Sequence, residues 1–267
     1  MLEKIDSFEI ENLMLSADEN GIVQVVLSRA KKRNALNAQT IEELIEVFSK
    51  LPRMGARAIV LKAEGDHFCA GLDLIEHHNE QRRPEEFMHV CLRWHEAFNK
   101  MEYGGVPIIA ALKGAVVGGG LELAMSAHVR VASSNAKLGL PEVGLGVIPG
   151  YGGTQRLAQL VGKGKAMEMV LTAGMISAEE ACNLGLVNYC VDQGELLETC
   201  GGIAKKMMRN APTALAAAIK CVLAGYTDSI DGYGVEIEQF GLCFGTEDFK
   251  EGTTAFLEKR KAEFPGK

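Results

Sequence analysis

Two glutamates stand in glycine-rich, apolar surroundings where a charged side chain is unusual. Glu122 follows three consecutive glycines in AVVGGGLELA, and Glu142 follows a proline in LGLPEVGLGVIPG. Glu142 has no neighbouring Lys or Arg in the sequence, and a carboxylate in such surroundings is either exposed or has a raised pKa, because desolvation disfavours its charged form. Carboxyl groups with such a pKa can act as general acid and base near neutral pH. Taken alone, each glutamate is more simply a solvated loop charge or a partner of a helix dipole.

Two loops of small residues could provide a second element of a catalytic site. They have the sequences CAGL at 69–72 and GGGL at 118–121, and each follows an apolar, strand-like run. Small residues let a ligand approach the main chain, and free N–H groups at a helix start can bind an oxyanion. If the loops meet, they offer two donors to one oxygen, which would stabilise an enolate or a tetrahedral anion. A lone glycine triplet is more simply a tight turn or a close packing contact.

These loops lie in a chain whose pattern predicts an α/β fold. A hairpin is expected over residues 8–29, a helix after the cap Asn37, a second helix from Pro84, and buried strands in ARAIVLKA and VPIIAALKG. After Val147 the pattern is helical, apart from one strand in LVNYCVD. Because strand–helix alternation comes first and helices last, we expect a core over 1–195 and a helical region over 196–267.

Composition narrows the classes of function. The 267 residues carry a net charge of −7, which does not favour a nucleic-acid surface, and no apolar stretch approaches the length of a membrane span. The seven cysteines form no C-x-x-C pair and no cluster with histidine, so we expect reduced thiols, a cytoplasmic protein and no metal site.

The order of the motifs resembles the enoyl-CoA hydratase/isomerase (crotonase) family. The motifs are HFCAGLDL, IIAALKGAVVGGGLELA, LGLPEVGLGVIPGYGGTQRL and MVLTAGMISAEEACNLGLVN, and EGTTAFLEKRKAEF is similar to the family's C-terminal signature. The resemblance extends from about residue 8 to residue 264. It implies the crotonase fold, which is a spiral of ββα turns with a helical C-terminal region. It also implies a homotrimer or a dimer of trimers.

The resemblance also implies a role for each motif. Leu72 and Gly119 would supply the two backbone N–H groups of an oxyanion hole. Glu122 would activate a water molecule and Glu142 would deliver a proton to the α-carbon. The implied reaction is the reversible hydration of a trans-2-enoyl-CoA to a 3-hydroxyacyl-CoA. No metal or separate cofactor is implied, because coenzyme A is part of the substrate. The residues expected near the CoA moiety or the reacting carbon are Ala35, Ala70, Asp73, Leu74, Gly150, Phe256 and Lys259. The C-terminal pair often reaches the ligand of a neighbouring subunit.

Several positions depart from the family pattern. Leu140 replaces a polar residue that many hydratases have, Tyr151 replaces a small residue, and the segment with His77 and His78 differs from the common continuation. Acyl chain length is therefore left open. The alternatives within the family are a double-bond isomerase, a CoA-thioester hydrolase and a lyase for aromatic acyl-CoA. A one-base isomerase would not need Glu122. A non-catalytic acyl-CoA-binding or RNA-binding relative is a further alternative, and the acidic composition argues against RNA.

Overall fold

A computed structural model describes residues 5, 7–80 and 82–267, and the side chains at 77, 79 and 80 lie outside the described part. The side chain of His77, singled out above, is therefore outside it. In the described part, the strands are β1 (Leu13–Ala17), β2 (Ile22–Leu27), β3 (Ala58–Ala63), β4 (Ile108–Leu112), β5 (Ala115–Val117), β6 (Val129–Ser133), β7 (Lys137–Gly139), β8 (Met175–Ser177) and β9 (Tyr189–Val191). The α-helices are α1 (Ala38–Lys50), α2 (Leu74–Glu80), α3 (Pro84–Glu102), α4 (Gly119–Met125), α5 (Gly153–Val161), α6 (Lys163–Leu171), α7 (Ala178–Asn183), α8 (Leu196–Met207), α9 (Pro212–Ala224), α10 (Gly232–Cys243) and α11 (Glu247–Glu258).

The main sheet has the strand order β1-β2-β3-β4-β6-β9. The hairpin is confirmed, because β1 and β2 pair antiparallel with Leu13 opposite Leu27. The other neighbours pair in parallel. Apolar side chains fill both faces, since β4 is buried along its whole length and α8 packs on the outer side of the sheet. Parallel strands covered on two faces read as continuous apolar runs, as β3 and β4 do.

The predicted helix starts are also confirmed. The Asn37 side chain accepts a hydrogen bond from the Thr40 N–H (3.0 Å) and caps α1. Pro84 occupies the first turn of α3, where its missing N–H costs nothing. Helix α2 was not predicted. The short strands β5, β7 and β8 were not predicted either, because each has only three residues, which is shorter than the apolar runs that indicate a strand in a sequence.

A second sheet, with the order β5-β7-β8, positions the glycine triplet. Strand β5 ends at Val117, and the chain passes through Gly118, at φ +55°, into the fully buried helix α4. Gly118 donates to the Gly139 carbonyl of β7 (2.9 Å). The sheet therefore fixes the point at which α4 begins, and the left-handed backbone there favours glycine.

The C-terminal helices differ from this core. Helices α9 and α10 pack on each other, but α10 contains no buried residue. Its apolar side chains face outward, and Tyr233, Ile237 and Phe240 are 82%, 75% and 68% exposed. No helix within the described ranges is long and apolar enough to cross a membrane.

Candidate active site

The two small-residue loops meet, as the sequence predicted. Cys69 forms a parallel bridge with Val116, and the Val117 N–H donates a hydrogen bond to the Cys69 carbonyl (3.0 Å). A Cβ at Gly71 would lie 2.9 Å from the Val117 carbonyl oxygen, and one at Gly120 would lie 2.5 Å from the Cys69 carbonyl oxygen. These glycines are therefore required by the contact between the loops as well as by any ligand.

Both expected donors of the oxyanion hole are free within the described chain. The neighbouring main-chain groups of Leu72 are occupied, since the Gly71 carbonyl accepts from Leu36 and the Asp73 N–H donates to Leu36. The N–H of Leu72 and that of Gly119, the first residue of α4, have no acceptor in the described residues. A Cβ built on Gly119 lies 3.7 Å from the Leu72 nitrogen, so the two groups are neighbours. Two adjacent free N–H groups can bind one oxyanion.

The side chain of Cys69 stabilises the first loop through two hydrogen bonds of its sulfur atom. Its thiol donates to the Asn34 carbonyl (3.0 Å), and its sulfur accepts the Gly71 N–H (3.3 Å). The side chain is fully buried, which raises the pKa of the thiol to about 12. The thiol is therefore a structural group rather than a nucleophile.

Glu122 is fully buried on α4. Its Oε1 accepts the N–H groups of Tyr151 (2.8 Å) and Gly153 (2.7 Å), whereas Oε2 has no partner in the described chain. Burial raises the pKa of Glu122 to about 7, although the two N–H groups act in the opposite direction. A carboxyl group that titrates near neutral pH can exchange protons in a reaction.

Glu142 begins a short 3-10 turn that spans Glu142–Leu145. Neither carboxyl oxygen has a partner in the described residues, and a Cβ at Gly118 would lie 3.1 Å from its Oε1. Burial raises the pKa of this carboxyl group as well. The charge of Glu142 also raises the pKa of Glu122, so the two carboxyl groups lie close enough to interact.

A cavity of about 690 Å³ opens in front of these groups. Glu142, Leu72, Gly119 and Tyr151 line it, and Tyr151 donates its main-chain N–H to the neighbouring Glu122. Its other walls are mainly apolar and include Phe87. The cavity therefore combines an apolar lining with two free N–H donors and carboxyl oxygens that lack partners, which is the pattern of a site for an acyl ligand.

Comparisons with known proteins agree with this geometry. The family model described as enoyl-CoA hydratase/isomerase matches residues 17–267. The chain belongs to this family. It is 41% identical to a short-chain-enoyl-CoA hydratase of Clostridium acetobutylicum, over 96% of this chain and 98% of that protein. It is also 40% identical to a crotonyl-CoA hydratase of Syntrophomonas wolfei, over 96% of this chain and 99% of that protein.

Solved structures give the same result. An enoyl-CoA hydratase of Bacillus anthracis superposes with a TM-score of 0.89 at 33% identity, covering 96% of this chain and 100% of that one. An enoyl-CoA hydratase subunit of Geobacillus kaustophilus gives 0.89 at 36% identity, covering 97% and 100%. The predicted family, the crotonase fold and the enzyme class are confirmed.

The residues that the family resemblance assigns to CoA divide into two groups. In the first group, Ala70, Leu74 and Gly150 line the cavity. Asp73 lies between two lining residues, and Arg29 links its carboxyl group to the Ala35 carbonyl. Burial opposes the effect, but Arg29 lowers the pKa of the Asp73 carboxyl group below its usual value.

Phe256 and Lys259 form the second group, at the end of α11. Neither lines the cavity of its own chain, and Phe256 is 81% exposed. Across the described ranges there is no cluster of three or more His, Cys, Asp or Glu side chains that could hold a metal ion.

Three residues around the site were missed by the sequence reasoning. Trp94 stacks on Tyr151 with ring centroids 4.0 Å apart, His95 contacts the Gly150 carbonyl oxygen, and Arg156 contacts Tyr151. Trp94 and His95 lie on α3, more than fifty positions before Tyr151, so no local motif connects them. Arg156 lies inside the GGTQRL motif, and the presence of a cation within that motif was the available signal.

Proposed function

We propose that this chain is an enoyl-CoA hydratase that adds water reversibly to a short trans-2-enoyl-CoA and forms a 3-hydroxyacyl-CoA. The observation that carries the proposal is the pair of carboxyl groups with unpartnered oxygens, Glu122 and Glu142, beside two free backbone N–H groups. A one-base isomerase would have no use for the second carboxyl group.

The free N–H groups of Leu72 and Gly119 would bind the thioester oxygen of the substrate. As water adds to the β-carbon, the electrons of the double bond move toward the carbonyl and negative charge develops on that oxygen. Donors that are already in position stabilise this charge without reorganisation, and each typically contributes about 10²–10³ in rate. The glycines of both loops support this role, because a side chain there would clash with the opposite loop.

Glu122 and Glu142 would hold the reacting water between them. Glu122 takes a proton as the water oxygen bonds to the β-carbon, and Glu142 gives a proton to the α-carbon of the enolate. The two carboxyl groups then exchange one proton to return to their starting state. The raised pKa of each group supports this assignment, because the pair can share a proton near neutral pH.

Short acyl groups are favoured by the wall behind the reacting carbons. Tyr151 lines the cavity, and buried Trp94 stacks behind it, so the tyrosine ring cannot move away without displacing a core residue. The names of the relatives from C. acetobutylicum and S. wolfei also refer to short or crotonyl substrates. We infer that this wall limits acyl length.

The proposal includes a trimer, in which α10 meets a second copy. The outward apolar face of α10 supports it, because neighbouring large apolar side chains that are all exposed often mark an interface between proteins. In such an assembly Phe256 and Lys259 of a neighbouring copy would contact the CoA. Sedimentation measurements would show a single species of three or six chains if this is correct, and a stable monomer would contradict it.

The deciding experiment is the loss of the conjugated-thioester absorbance of crotonyl-CoA. Wild type should remove it rapidly and the Glu122→Gln variant should be almost inactive. If wild type binds the thioester without hydrating it, the hydratase proposal fails. Double-bond migration, thioester hydrolysis and cleavage of aromatic 3-hydroxyacyl-CoA would then be assayed in turn.

A further inference from the structure

Two partly or fully buried polar side chains, those of His95 and Arg156, contact the main chain of the segment over residues 150–153. Arg156, which is 8% exposed, donates through Nη1 to the Tyr151 carbonyl (3.2 Å). The same guanidinium donates through Nε and Nη2 to Glu102 Oε2 (2.9 and 2.7 Å) and through Nη2 to Asn99 Oδ1 (3.1 Å). Because both acidic and amide partners lie on α3, the arginine ties the segment to that helix.

His95 of α3 makes a second contact of the same kind. Its Nε2 lies 3.0 Å from the Gly150 carbonyl oxygen, which can only accept, so this nitrogen carries the proton. The peptide unit that contains this carbonyl also contains the N–H of Tyr151. The two groups point in opposite directions across a planar trans peptide. Fixing the Gly150 carbonyl on His95 therefore fixes the direction of the Tyr151 N–H, which donates to Glu122.

Arg156 acts on the next peptide unit. Gly152 has φ +100°, and a Cβ there would meet the Arg156 guanidinium. The left-handed backbone of Gly152 leads directly to Gly153, whose N–H is the second donor to Glu122. The guanidinium fills the space beside the Gly152 backbone and holds the Tyr151 carbonyl, one peptide unit before the Gly153 N–H.

We propose that Arg156 and His95 are positioning residues for Glu122, and that they hold two backbone N–H groups on one carboxyl oxygen so that the other oxygen remains free for water. The proposal rests on the hydratase function above. It assigns no contact with substrate to either residue. Each acts through the backbone between Gly150 and Gly153.

The proposal predicts a change in the pH dependence rather than a uniform loss of rate. Two N–H donors stabilise the carboxylate form of Glu122, so displacing either donor raises the pKa of this base. The other charged or titratable groups that act on Glu122 are Glu142, which raises its pKa, and Arg156, which lowers it. The Cys91 thiol and the Tyr151 hydroxyl also lie close to it. None of these charges changes when Arg156 is replaced by lysine, so that variant isolates the hydrogen-bond geometry.

The test compares Arg156→Lys, His95→Leu and His95→Gln with wild type. Hydration of crotonyl-CoA is measured from pH 5 to 9, and the Glu122 carboxyl group of the ligand-free protein is titrated by infrared difference spectroscopy against Glu122→Gln. In Arg156→Lys and His95→Leu, we expect the acidic limb of the pH–rate profile and the infrared transition to move upward by about one pH unit. At pH values below the limb, this shift lowers the hydration rate about tenfold. His95→Gln retains a donor and should restore most of the wild-type behaviour.

Gln155→Ala is the matched control, since Gln155 is the exposed neighbour of Arg156 on the same helix turn. It should leave both titrations unchanged. An equal loss of kcat at every pH in His95→Leu, with an unmoved infrared transition, would overturn the proposal, even if Arg156→Lys does not fold. If the infrared shifts appear in a protein that does not hydrate crotonyl-CoA, the positioning role stands and the hydratase proposal fails.

Discussion

The two glutamates have the same chemical group in two different settings. Glu122 lies on a fully buried helix, and one of its oxygens is fixed by two N–H groups. Glu142 lies on a four-residue turn, and neither of its oxygens has a partner in the described chain. The residues just after it, Leu145, Val147 and Ile148, line the cavity but are 62%, 57% and 68% exposed. The site therefore pairs a carboxyl group oriented by the protein with one that has no hydrogen-bond partner in the described chain.

This difference indicates how the two residues divide the reaction. A base must be aligned with its water before the substrate arrives, because misalignment by about 1 Å can cost about 10² in rate. A proton donor that serves the α-carbon can be oriented by the bound thioester itself. The fixed group suits the first role and the unfixed group suits the second, in agreement with the assignment proposed above.

The largest expected effect comes from removing the fixed carboxyl group. Glu122→Gln should lower kcat on crotonyl-CoA by about 10³–10⁴, because general acid–base groups contribute up to about that factor. The measurement is steady-state loss of the enoyl-thioester absorbance. Glu179→Gln, an exposed glutamate on α7, serves as the control and should retain full activity. If the kcat of Glu122→Gln is within tenfold of the wild-type value, Glu122 is not the general base of the reaction.

Removing the unfixed carboxyl group should cost less. We expect Glu142→Gln to lower kcat by about 10²–10³, since the oxyanion hole and the oriented water remain. The double variant should be little worse than Glu122→Gln, because residues that act as a unit give non-additive losses. Full additivity in kcat would show that the two carboxyl groups work independently.

Stability should depend on pH through the buried base. The pKa of Glu122 is about 7 in the folded protein, above its ordinary value of 4.5. At a pH between these two values, the folded protein therefore carries a proton on Glu122 that the unfolded chain has lost. Ionising Glu122 in the folded state therefore destabilises the protein as pH rises from 4.5 to 7, and the full cost is present above 7. Urea unfolding at a fixed protein concentration should show Glu122→Gln about 1–3 kcal/mol more stable than wild type at pH 8. The gain should shrink toward pH 5. Equal stability at both pH values would contradict the raised pKa.

The smallest effect concerns the wall of the cavity beside the two glutamates. Tyr151→Ala should raise kcat/KM for an eight-carbon enoyl-CoA relative to crotonyl-CoA by about tenfold, since pockets discriminate among chain lengths by about 1–3 kcal/mol per methylene. Tyr103→Ala, an exposed tyrosine that does not line the cavity, is the control. An unchanged ratio for Tyr151→Ala would place the length limit elsewhere.

The sequence predicted the parts of this site that local motifs carry. The two loops, the helix behind the glycine triplet and the cap of α1 follow from residues near one another in the chain, and the structure places them as expected. The reason for Gly120 was incomplete, since the Cys69 carbonyl also requires it. The contacts of Arg156 and His95 could not be predicted, because a helix that begins at Pro84 meets a loop near residue 150 only through tertiary packing.

The buried thiol of Cys69 has a consequence for the chemical durability of the first loop. Thiolates, rather than thiols, react with oxidants and alkylating agents, and this sulfur is fully buried with a pKa raised to about 12. Partly exposed cysteines elsewhere in the chain, such as Cys182 and Cys190, would react first. The sulfur atom in the loop that is proposed to hold the thioester is therefore shielded from oxidants, whereas the thiol of Cys91, in the wall of the same cavity, is only partly buried.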